Sequence, residues 1–222
     1  MARLRAIVTT SEGPADLEDR FPGRWDARRA IQDDLRPLVE AVARATCEAG
    51  WWTPGSGELV DGGLVCAVDL HGCEPEVAFG RSLLEPGATL RPSLFLQSLP
   101  STPAATLGLL FGLREYQATL NILDLPGPYA LGHAIDLLAL GRLRRVVVAA
   151  LTVVGPAGRE RLHEPPQPGT YRLATAVCLE QGEGFQAPAR RGLDVAELLP
   201  DIHPGYRVLA APSLSAAARA GG

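Results

Sequence analysis

The stretch Arg145–Val154 reads RVVVAALTVV, ten residues with polar side chains only at Arg145 and Thr152. A strand of that composition has no wet face. It must be covered on both sides, as in the interior of a layered α/β sheet, whereas a half-solvated antiparallel strand would alternate apolar with polar residues. Helices therefore have to flank it. The chain offers them: Leu38, Val42, Ala45 and Ala49 recur at helical spacing after Pro37, and Gly50 stands as the stop. Gly127-Pro128 opens a second helix, with Leu131, Ala134, Ile135 and Leu138 on one stripe and Gly141 as its stop.

Further strands are predicted at Leu4–Thr10, Gly63–Asp69 and Tyr171–Glu180, and a half-buried one at Tyr116–Ile122, where Tyr, Ala, Leu and Ile alternate with Gln, Thr and Asn. Glu76–Leu84 reads as a short helix ended by Pro86-Gly87. Ser93–Pro100 reads as extended and apolar, and Ser101-Thr102-Pro103 offers a hydroxyl cap to a helix running through Phe111. That helix is apolar all round, which requires burial in this subunit or against another. Gly155–Thr170 reads as a Gly/Pro-rich loop, and Trp51 and Trp52 as packing anchors. The expected architecture is a mixed five-stranded sheet flanked by helices, over residues 1–185, with 186–222 as an extension ending in an Ala-rich tail.

Composition narrows the chemistry. All 21 cations are Arg, which removes Schiff-base lysines and the P-loop lysine, and with a net charge of −4 and no basic block nucleic acid is not an expected partner. No apolar run approaches the ~20 residues that span a bilayer, and no signal peptide is visible, so a cytoplasmic protein with reduced thiols is expected. Cys47, Cys66, Cys73 and Cys178 have no C-x-x-C spacing. A Cys66/Cys73 pair with His71 between them is the one metal or disulfide alternative, set against a strand end that explains the same residues. His71, His163 and His203 fall in loop-like segments, and His133 lies beside the apolar stripe of its helix. No Ser-His-Asp, metal or nucleotide motif can be assembled from them, and Gly155-Pro156-Ala157-Gly158 is too short a signal for a phosphate loop. No metal or cofactor is implied.

The block Pro92–Val154 resembles the N-terminal half of the β-ketoacyl synthases, of the thiolase-like superfamily. The resemblance rests on LPSTPAATLGLLFGL at Leu99–Leu113, the strand YQATLNI, GPYALGHAIDLLALGR at Gly127–Arg142, RVVVAALT, and RLATAVCLEQ at Arg172–Gln181. It implies the N-terminal half of a thiolase-like fold, with the Tyr116–Ile122 strand pairing antiparallel across a dimer axis. Counting back from Gly132-His133, the turn that carries the family's nucleophilic Cys falls on Ile122–Pro126, with Asp124 at the nucleophile's place. A carboxylate there cannot hold an acyl chain as a thioester. The family's two histidines and its lysine belong to a C-terminal half that this chain is too short to contain.

The resemblance therefore implies a non-catalytic, chain-length-factor-like subunit pairing with an active ketosynthase in fatty-acid or aryl-polyene-type polyketide biosynthesis, with an acyl carrier protein as a further candidate partner. Leu110, Phe111, Tyr116, Thr119 and Asn121 are the interface and acyl-tunnel candidates, weighed against burial in this subunit's own core. Two other readings stand beside it. One is a thiolase-like acyltransferase or decarboxylase using Asp124 or Cys178; the other is a homodimeric binding module, which would bury the same strand symmetrically. Asp124 also has an ordinary reading, as an acidic residue stabilised at a helix start.

Overall fold

The computed structural model describes residues 2–11, 13, 17–22, 31–87, 89–121, 126–163, 165 and 168–182. Strand β1 (Ala2–Thr10) is followed by a short helix α1 (Leu17–Arg20), a 3-10 turn at Asp33–Leu35 and helix α2 (Arg36–Glu48). Then come β2 (Gly63–Asp69), α3 (Cys73–Leu84), α4 (Pro92–Ser98), α5 (Thr102–Phe111), β3 (Gln117–Leu120), α6 (Pro126–Ala139), β4 (Arg145–Val154), α7 (Pro156–Arg161) and β5 (Tyr171–Gln181).

The strands form one sheet in the order β1-β5-β4-β2-β3. β4 and β3 run parallel to β2 on either side of it, while β5 is antiparallel to both β4 and β1. The RVVVAALTVV strand is covered on both faces, as its composition requires. On one face Val147, Ala149, Leu151 and Val153 join Leu64, Cys66, Ala176 and Cys178 against α2 and α5. On the other, Val146 and Val148 join Val65, Ala67, Val177 and Leu179 against the α6 stripe of Leu131, Ala134, Ile135 and Leu138. The two faces follow from the two-residue period of each strand.

Trp52 is buried in an aromatic cluster, stacked on Phe21 at 5.2 Å with Phe111 edge-on at 5.3 Å. Trp51 is buried beneath the Arg145 guanidinium, 5.3 Å from the ring centre. Both tryptophans are packing anchors, as expected.

Three local expectations are corrected. Pro92–Ser98 is helical, not extended: Pro92 sits in the first turn with its φ already set for a helix, and a seven-residue apolar run cannot distinguish helix from strand by periodicity. The Ser101 hydroxyl makes no capping bond, because Ser101 itself has helical dihedrals (φ −78°, ψ −14°), and Thr102 Oγ1 donates instead to the Leu96 carbonyl. The segment read as a loop after β4 contains α7, with Pro156 in its first turn. The domain tail from 186 onward, and His203, lie outside the described residues.

Candidate functional site

Among the described residues β3 is an edge strand of the sheet, paired with β2 over Leu64–Ala67 on one side. Its N-terminal end is fixed by Tyr116, whose carbonyl accepts the Leu64 N–H at 2.8 Å. The Tyr116 hydroxyl lies 2.7 Å from His133 Nε2 on α6, so the half-buried His133 ties the edge to the helix on that face. Gln117 Nε2 donates to the Leu113 carbonyl at 2.8 Å, closing the turn between α5 and β3. Thr119 is half-buried on the strand and Asn121 is exposed just beyond it.

Leu110 and Phe111 stand apart from this edge. Both are fully buried, and Phe111 packs 5.1 Å from Phe21 while its carbonyl accepts the Val60 N–H at 2.7 Å. In the isolated chain they fill its own core. Asp124 falls on 122–125, outside the described residues.

The buried thiols are unsuited to nucleophilic work. Burial pushes the Cys66 thiol up to about 12, and raises Cys178 on β5 further still, with the charge of Glu48 acting in the same direction. A cysteine nucleophile needs the opposite shift. Cys66 and Cys73 belong to separate apolar clusters, and among the described residues no group of three His, Cys, Asp or Glu side chains could hold a metal ion.

Sequence reasoning read the segment after β2 as loop-like but missed its burial. His71, read as a loop residue, is 7% exposed, with neither ring nitrogen hydrogen-bonded, and burial lowers it to about 4 against the opposing pull of the Asp34 carboxylate. Asp69, at the strand's last position, is pushed up to about 6 by burial. Between them Leu70 adopts φ +56°, a conformation unusual for a leucine. The Leu-His pair carries no turn signal of the Gly, Asn or Pro kind; Gly72, at φ +89°, follows it. Nearby, a cavity of about 350 Å³ is lined by Asp34, Glu74, Leu94, Gln97 and Arg172, among others. Its charges are already engaged: Arg172 Nε donates to Asp34 Oδ1 at 2.7 Å, and Glu74 Oε1 accepts the Ala157 N–H at 2.6 Å.

Known protein families and curated proteins give no match to the sequence. Solved structures do. A ketosynthase (ApeO) in complex with its chain length factor (ApeC) from Xenorhabdus doucetiae aligns with TM-score 0.55 and 16% identity, over 82% of this chain and 79% of that one. A β-ketoacyl synthase from Burkholderia phymatum aligns with TM-score 0.56 and 23% identity, over 78% of this chain and 46% of that one. The chain has a ketosynthase-type fold. The ishigamide ketosynthase/chain length factor aligns similarly, with TM-score 0.51 and 14% identity, over 78% of this chain and 49% of that one. The chain thus spans about half the length of the second and third of these proteins and most of the first.

Proposed function

We propose that this chain is a non-catalytic, ketosynthase-like subunit that pairs in the cytoplasm with an active β-ketoacyl synthase during fatty-acid or aryl-polyene-type polyketide synthesis. The observation that carries the reading is the similarity to a chain from a solved ketosynthase–chain length factor complex, which this chain matches over 79% of that chain's length. Two features support it. Among the described residues no strand pairs with the outer side of β3, and addition of a further strand there is the simplest way to extend a sheet across two subunits. The buried thiols are held in their protonated form, so the acyl-transfer alternative through Cys178 loses its nucleophile.

Tyr116, Thr119 and Asn121 are the side chains at the proposed strand-to-strand contact, while Leu110 and Phe111 lie in the core of this chain, away from that edge. No single helix among the described residues is long and apolar enough to cross a membrane. An acyl carrier protein would approach the pair, and not this subunit alone, because the nucleophile resides in the partner.

The test is functional reconstitution. A full-length ketosynthase encoded in the same genome is expected to condense acyl carrier protein-bound substrates only when co-purified with this chain. Equal activity and equal product length without the chain would contradict the reading.

A further inference from the structure

Large apolar side chains left in water are informative when they gather on one element. The hairpin α3–α4 gathers them. α3 buries Cys73 at its first position and no other residue, and α4 buries none. Val77, Leu83, Leu84, Leu90, Phe95 and Leu96 are all exposed, Leu84 by 84% and Leu96 by 59%. Phe79 and Phe95, with ring centres 5.6 Å apart, hold the two helices to each other. The hairpin is packed internally and apolar externally.

We infer that the α3–α4 hairpin is a docking surface for the ketosynthase partner; this rests on the reading above and extends it from the sheet edge to a second element. Area is the first argument. A stable pair of proteins buries about 800 Å² on each side. The β3 edge offers four residues, Gln117–Leu120, and strand pairing of that length is marginal by itself. More surface is needed, and the hairpin is linked to the edge through one helix: α4 packs on α5, and α5 packs on β3.

Charge is the second argument. Arg81, Glu85 and Arg91 are exposed on the same hairpin. An apolar centre with a rim of both signs matches the composition of protein interfaces. A lipid surface would call for a polar face rich in basic residues, which a hairpin with mixed signs does not supply.

The experiment compares the wild-type chain with a Leu84→Glu/Leu96→Glu double variant, each titrated with the purified full-length ketosynthase. Both positions face water, so circular dichroism and Tm of the free variant are expected to match wild type. Affinity is expected to fall at least about 30-fold, the scale of losing central interface anchors. Hydrogen exchange in the wild-type complex is expected to slow across residues 77–96. If the complex forms but neither affinity nor exchange at the hairpin changes, the docking surface is wrong while the partner-subunit reading stands. If the wild-type chain forms no complex at all, both fall. A homodimer of this chain that the double variant dissociates, or binding of the chain to phosphatidylcholine vesicles, would assign the hairpin to another occupant and overturn the inference.

Discussion

Asp69 and His71 occupy one turn, and their burial acts on stability with opposite signs. Asp69 titrates near 6 in the folded chain, above the ordinary carboxylate range, so the folded state holds its proton longer than the unfolded one and stability falls as pH rises from about 4 to 6. His71 titrates near 4, below the usual 6.5, so the unfolded state binds the proton first and stability falls as pH drops from 6.5 towards 4. In the wild type the two slopes oppose each other over the same window. Asp69→Asn should therefore leave a profile that loses stability more steeply than wild type on acidification below pH 6.5, and His71→Gln one that tilts the other way. Chemical denaturation between pH 4 and 7 reads both; no one-proton slope can exceed about 1.4 kcal/mol per pH unit. Parallel profiles for wild type and both variants would mean that neither group is desolvated. A smaller effect belongs to the Tyr116–His133 contact: Tyr116→Phe should cost about 0.5–1.5 kcal/mol of stability, the usual worth of one hydrogen bond.

At the scale of elements, α5 is where core and interface readings meet. Phe111 closes an aromatic cluster with Phe21 and Trp52, and Phe111→Ala should destabilise the chain by about 3–5 kcal/mol, measured by urea denaturation. A tunnel-wall role would instead show as a longer product from the assembled pair with stability preserved. Gly112, at φ +78°, ends this helix, and a Cβ there would lie 2.5 Å from Leu59 Cδ2. Gly112→Ala should therefore cost more than about 1 kcal/mol, by strain and by steric conflict together.

The strands and long helices were legible in the sequence because periodicity and composition acted together. Gly63–Asp69 was bounded correctly at both ends, and the α6 stripe named the residues that cover one sheet face. The short helices α4 and α7 were not, since seven and six residues hold too little period to read, and the proline at each start is equally a loop signal. The edge position of β3 was legible only through resemblance. The burial of the turn at His71 was hidden for a different reason: the neighbouring Leu70 packs against Cys73 of α3, Val154 at the end of β4 and Leu162 just after α7, a tertiary effect that no local pattern carries.

For the whole molecule, one sheet carries two packed faces, an edge strand braced by Tyr116 and His133, and an apolar helical hairpin beside it. A chain with that surface is expected to associate, and under the proposed function its partner is an active ketosynthase. Size-exclusion chromatography with light scattering tests this most directly, on the chain alone and then co-expressed with a full-length ketosynthase from the same genome. The expected result is a single species with the summed mass of one copy of each, and poor solubility or aggregation of the chain without its partner. A well-behaved monomer or homodimer that stays separate from the ketosynthase would contradict it.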